Sequence, residues 1–225
     1  MRHNGKITYI PFDSKEFMHF QPNEVYHIYN RGNNRQPIFF SEKNYVFFLN
    51  KVQKQISPVA TILCWCLMPN HFHFLLSATE KSCEERSSFG GKPMQELPYR
   101  IGVLLSSYSQ AINKQNGTTG SLFQQKTKAK CVTDTGRDAL SVLNGIGRNY
   151  LITCMHYIHQ NPYKAELVNK MEDWSFSSFH EYMSGKPDLP CDRDLLLSLT
   201  GYDMQSFYED SYGVIDEEDM RVILE

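Results

Sequence analysis

The sequence predicts an α+β fold in which a central antiparallel sheet is covered by helices. Three observations carry this. Thr61 to Ser77 is dense in β-branched, aromatic and large apolar residues, the composition of a buried strand, with a break or bulge where Pro69-Asn70 interrupts it. Val25 to Gly32 alternates and is rich in strand-formers. Two segments, 41–55 and 98–115, repeat apolar residues at helical spacing and each presents one buried face.

In chain order, residues 1–22 are weakly patterned and read as an extended arm. The first strand ends at Gly32, inside a polar, basic loop from Asn30 to Phe39 that carries Arg31 and Arg35. Ser41 is placed to cap a helix reaching about Gln55, with Tyr45, Phe48, Leu49, Val52 and Ile56 inward. Ser57-Pro58 ends it. After the central stretch, residues 79–97 are polar, contain Gly90-Gly91 and read as a long mobile loop. Pro98 opens the next helix, with Ile101, Leu104, Leu105, Tyr108 and Ile112 on one face, and Asn116-Gly117 stops it.

Gly120 to Val132 alternates in its second half, so Lys126, Lys128 and Lys130 share a strand face. That row is either a ribbon of charge for an anion or the lysine guard of an edge strand. Residues 134–148 show no clear periodicity. Tyr150 to Gln160 is helix-compatible and closes at Asn161-Pro162, because the residue before proline is pushed out of the α region. Residues 23–183 form one domain, and 184–225 an acidic appendage with helical patches at Asp192–Leu199 and Asp216–Leu224.

The net charge of −2 hides a division. Residues 1–165 carry 19 Lys and Arg against 10 Asp and Glu, a net of +9, while residues 166–225 carry 4 against 15, a net of −11. A basic body with an acidic tail suits a protein that meets nucleic acid, and such a tail can fold over the basic face and compete with DNA. The six cysteines lack Cys-x-x-Cys spacing and read as reduced thiols. No run of 18 apolar residues and no apolar leader is present, so a cytoplasmic protein without membrane spans is expected.

Past Pro69-Asn70, alternation puts His71 and His73 on one face and Phe72 and Phe74 on the other. Two imidazoles about 7 Å apart along a strand can converge on one ion. The plainer reading is a hydrogen-bonded pair at a strand end. With Cys64 and Cys66 they make a Cys2His2 set, but a single strand wraps four ligands poorly round a tetrahedral ion.

Pro69-Asn70-His71-Phe72-His73-Phe74-Leu75-Leu76 resembles the His-hydrophobe-His (HUH) motif of single-tyrosine transposases, in particular the REP-associated tyrosine transposases. Further segments carry the resemblance in order across residues 25–183. They are the strand and loop from Val25 to Phe39, Gly120-Ser121-Leu122-Phe123-Gln124, Tyr157 to Val168, and Trp174-Ser175-Phe176-Ser177-Ser178-Phe179.

The resemblance implies a ferredoxin-like HUH endonuclease fold. It implies Tyr157 as nucleophile and a divalent ion, Mg2+ or Mn2+, held by His71, His73 and a polar residue one turn after the tyrosine, here Asn161. Tyr150 and Tyr163 are alternative nucleophiles, His159 and Gln160 alternative third ligands, and His27 either lines the site or packs. The implied reaction is cleavage and joining of single-stranded or hairpin DNA of repeat elements, by a monomer or homodimer, through a phosphotyrosine. A metal ion there shields and orients the scissile phosphate. Arg31, Arg35, Lys126, Lys128 and Lys130 are the candidate DNA contacts. Two rival readings remain: a DNA-binding protein that no longer cuts, and a metal-dependent hydrolase that does not need Tyr157.

Overall fold

The computed structural model describes residues 18–87, 93–133, 146–184, 189 and 191–215. The larger strands are β1 (Val25–Arg31), β2 (Ala60–Met68), β3 (His71–Ala78) and β6 (Lys128–Cys131). They form one antiparallel sheet in the order β2-β3-β1-β6. Helix α1 (Glu42–Gln55) joins β1 to β2, and helix α3 (Glu96–Asn116) lies between β3 and β6. Strand-helix-strand-strand-helix-strand in that strand order is the ferredoxin-like arrangement, so the α+β expectation is met.

Strand alternation divides the core in two. Tyr26, Ile28, Leu67, Phe72, Phe74 and Leu76 face α1 and α3, where Tyr45, Phe48, Val52, Ile101, Leu104 and Tyr108 meet them. The opposite face carries Val25, Cys66, Met68 and Leu75 and is covered by α4 (Ile146–Lys164) through Leu151, Cys154, Met155 and Ile158. A bulge between Ile62 and Cys64 turns both Leu63 and Cys64 toward α4.

Several local expectations are corrected. The stretch Thr61–Ser77 is a hairpin of two strands, not one broken strand, because Pro69-Asn70 forms a two-residue turn pairing Met68 with His71. Ser41 makes no side-chain cap. Asn44 instead fixes the chain entering the helix, its Oδ1 accepting from the Phe40 N–H at 3.0 Å. The polar segment after β3 is ordered as helix α2 (Glu80–Cys83) and a ribbon of β4 (Glu85–Ser87) with β5 (Pro93–Gln95). Its polar groups find partners there: Thr79 and Ser82 form a reciprocal cap, and Arg86 pairs with Glu96 while lying over the Tyr99 ring. The Gly90-Gly91 pair, the arm to residue 17, residues 134–145 and the patch at 216–224 lie outside the described residues.

Helix α4 runs through Pro162 to Lys164 instead of closing at Asn161. A Schellman motif ends it: the Glu166 N–H donates to the Tyr163 carbonyl and the Leu167 N–H to the Pro162 carbonyl, both at 3.0 Å. Glu166 holds the left-handed conformation this requires, at φ 56°.

The outer edge of β2 is sewn to the segment after α4. Leu67 N–H donates to the Phe176 carbonyl at 2.8 Å, and Ser178 N–H to the Trp65 carbonyl at 2.9 Å. Trp65 N–H donates to Ser178 Oγ at 2.9 Å, and Asp192 N–H to the Ile62 carbonyl at 2.8 Å. Trp174 Nε1 and Tyr182 Oη donate to the Leu67 and Leu63 carbonyls. Helices α5 (Phe179–Ser184), α6 (Arg193–Thr200) and α7 (Phe207–Ser211) follow, burying Phe179, Leu196 and Phe207 in the α4-side core. Ser178 also meets His159 Nε2 at 2.9 Å. Ser178→Ala therefore orphans two buried groups and should cost about 1–3 kcal/mol, read from urea unfolding.

The outward side of α4 adds an acid-sensitive contact. His156 bonds Ser211 Oγ at 3.1 Å, and burial holds its imidazole down at about 4 despite Asp210 nearby. The unfolded chain takes up a proton that the folded one refuses. This stabilisation is therefore complete above about pH 6.5 and is lost as pH falls through about 4. His156→Gln should flatten that part of the unfolding-midpoint curve.

Candidate active site

Where β1, β3, the segment before β6 and α4 meet, a cleft of about 530 Å³ opens. It is lined by Tyr29, Asn30, Arg31, Arg35, Asn70, His71, His73, Gln124, Lys126, Lys128 and Tyr157. His71 and His73 are the first and third residues of β3, and Tyr29 and Arg31 lie opposite His73 and His71 on β1. Asn161 sits one helical turn beyond Tyr157, its Oδ1 3.5 Å from His71 Nε2.

The hairpin tip is held by the loop after β1. Gly32 N–H donates to the Asn70 carbonyl at 2.8 Å, and the Ile38 and Phe39 N–H groups donate to the Pro69 carbonyl. Gly32 is required there, since a Cβ would fall 2.1 Å from the Gln36 carbonyl oxygen. Asn34 and Arg35 both adopt the left-handed conformation, at φ 52° and 59°, and so carry the Arg35 side chain to the cleft wall.

Two amides fix the His71 ring. Asn70 Nδ2 donates to the Arg35 carbonyl at 3.3 Å, which turns its Oδ1 toward His71 Nδ1 at 2.6 Å. A carbonyl oxygen only accepts, so the proton is on Nδ1 and Nε2 is a bare lone pair. Asn161 Nδ2 donates to the Tyr157 carbonyl at 2.9 Å, which leaves Oδ1 facing that lone pair. Two acceptors thus look at each other with no proton between them.

His73 is 3% exposed, and its ring centre lies 5.0 Å from that of His71 at a right angle. Its Nδ1 bonds His27 Nε2 at 2.8 Å, while its Nε2 has no hydrogen-bond partner among the described residues. Burial, with His27 and His71 alongside, pushes its basicity well below that of free histidine. Burial lowers His71 as well. Both rings are therefore neutral near pH 7, the form that coordinates metal. An orphaned nitrogen, a facing nitrogen–oxygen pair and neutral rings fit a divalent cation. Among the described residues no group of three or more His, Cys, Asp or Glu side chains is placed to hold a metal ion, and the donors on offer at this point are two imidazoles and an amide.

Tyr157 is 8% exposed and packs edge-on against His73 and His27, at 5.5 and 5.9 Å between ring centres. Burial pushes its phenol up to about 12, so it is protonated at neutral pH.

The other candidates fall elsewhere. His159 and Gln160 face away from the cleft: His159 meets Ser178, and Gln160 Nε2 donates to the Ser211 and Gly213 carbonyls. Tyr163 packs on Tyr212, and Tyr150 lies two turns before Tyr157 on α4. Cys66 stands opposite His73 in the hairpin, but burial raises its thiol far above the usual range, which disfavours a Cys2His2 site. Strand β6 begins at Lys128, so Lys126 reaches the cleft from the segment before it. Lys130, paired across from His27, is not among the lining residues. Asn30, Tyr29, Asn70 and Gln124 are cleft residues the sequence did not single out. For Tyr29 a signal existed, since it alternates with His27 on the same strand face.

No protein-family model and no curated protein matches the chain. Among solved structures, a REP-associated tyrosine transposase bound to a REP hairpin superposes with a TM-score of 0.50. The match has 17% identity and covers 80% of this chain and 93% of that one. The two share a fold. At this identity the likeness is one of architecture. No helix among the described residues is long and apolar enough to cross a membrane.

Proposed function

We propose that this protein is a metal-dependent DNA strand-cleaving and strand-joining enzyme of the single-tyrosine type, acting on single-stranded or hairpin DNA. One observation carries the reading. A buried tyrosine packs against a histidine whose outer nitrogen has no partner, in a cleft walled by arginine and lysine. The fold shared with a hairpin-bound tyrosine transposase supports the same substrate class.

In this reading His71, His73 and Asn161 would hold Mg2+ or Mn2+, and such an ion would supply shielding and orientation of the scissile phosphate. Arg31, Arg35, Lys126 and Lys128 attract the DNA phosphate to the cleft. Tyr157 supplies the attacking oxygen. Its phenol proton passes to water as the oxygen–phosphorus bond forms, while the bond from phosphorus to the 3′ or 5′ oxygen of the cut strand breaks and that oxygen takes up a proton from water; a later DNA hydroxyl reverses the exchange. Packing of the ring against His27 and His73 fixes its direction of approach.

The test is incubation with a hairpin oligonucleotide and Mn2+. A protein–DNA adduct that survives denaturant is expected. Cleavage without any adduct would favour a hydrolase, and binding without cleavage a protein that has lost catalysis.

Affinity for hairpin DNA should fall with salt. Replacing Lys126 and Lys128 together with alanine should lower the log–log slope by about 1.4 to 1.8 units, at ~0.7–0.9 per phosphate contact, while Lys130→Ala, outside the cleft lining, should leave it nearly unchanged. An unchanged slope would move the contacts to other residues.

A further inference from the structure

His27 is fully buried on β1, a costly place for an imidazole without a task. Its Nε2 lies 2.8 Å from His73 Nδ1, and the two rings stack at 5.1 Å. A single proton lies between those nitrogens, and its location decides what His73 can do. Carried on His27, it leaves His73 as the Nε2–H tautomer, with a buried N–H aimed at no acceptor among the described residues. Carried on His73 Nδ1, it leaves Nε2 as a bare lone pair beside His71. Either arrangement leaves the buried Nε2 unmatched, and only the second leaves a lone pair that a cation can satisfy. It also gives His73 the tautomer that Asn70 imposes on His71.

We infer that His27 is a positioning residue that accepts the Nδ1–H of His73 and thereby presents the His73 Nε2 lone pair to a divalent cation. The inference rests on the metal reading above. His27 is to His73 what Asn70 is to His71: a neighbour that sets which nitrogen is bare. It does more than hold a tautomer. His27 also stacks on Tyr29 at 4.7 Å and meets the Tyr157 ring edge-on at 5.9 Å. One buried ring therefore fixes the orientation of both the proposed ligand and the proposed nucleophile.

The experiment uses full-length protein with 15N-labelled histidine. In metal-free wild type, long-range nitrogen–proton NMR correlations should show His73 as the Nδ1–H tautomer. Mn2+ affinity, followed by electron paramagnetic resonance, should drop by about 10- to 100-fold in His27→Phe, which keeps ring volume and removes the acceptor. His27→Gln, whose amide oxygen can accept the same proton, should recover much of that loss. His73 found as Nε2–H in metal-free wild type overturns the inference even if no variant folds. So does a folded His27→Phe that binds Mn2+ as wild type does. Wild type that shows the Nδ1–H tautomer but binds no Mn2+, alone or with hairpin DNA, overturns the metal reading and leaves the tautomer assignment standing.

Discussion

Tyr157→Phe is expected to abolish both the covalent adduct and strand cleavage, with a rate loss on the order of 10⁴-fold or more, the scale for removing a covalent nucleophile. The change deletes one oxygen and keeps the ring that packs edge-on against His27 and His73. The fold and DNA affinity should therefore be kept, with a stability change within about 1 kcal/mol. Because burial holds the phenol up at about 12, wild-type cleavage should quicken as pH rises from 7 toward 9 at fixed Mn2+. An adduct formed by Tyr157→Phe would move the nucleophile elsewhere, with Tyr150 and Tyr163 the next to be replaced.

His71→Ala should remove Mn2+ binding to below about one-hundredth of the wild-type affinity, a larger loss than removal of a supporting neighbour. Cleavage at limiting Mn2+ should vanish with it. His71 is partly exposed at the cleft, so this variant should fold as wild type does. His73→Ala should lose the ion equally, but it also empties a buried position stacked on His27 and Tyr29 and should unfold at lower urea. Full activity of folded His71→Ala at limiting metal would sink the ligand assignment.

What could be read from the sequence follows from how local each signal was. Buried helix faces such as Tyr45, Phe48 and Val52 repeat within a few residues and stand in the core as read. The Pro69-Asn70 turn is hard to tell from a break within one strand, because hairpin turns usually announce themselves with Asn-Gly or Asp-Gly. Extension of α4 past Asn161 was hidden because a proline rule predicts an ending, while tertiary packing on both sides of α4 overrides it. Alternation set His71 and His73 on one face, but it could not say that β1 would pair with β3 and bring His27 against His73. That contact depends on register between strands 46 residues apart.

The stitched edge of β2 bears on how the acidic C-terminal region can be studied. Its described part does not lie along the lysine-bearing strand; it docks at the opposite edge of the sheet and behind α4. Cutting the chain near Met183 would strip Leu189, Leu196 and Phe207 from the interior and unseal the backbone groups at Ile62. An outer strand unsealed at that end invites pairing with another copy. Weak DNA binding or oligomers in such a truncated protein would then report a damaged sheet rather than a lost charge. Neutralising the acidic residues in place, with the backbone intact, is the cleaner way to ask what their charge does.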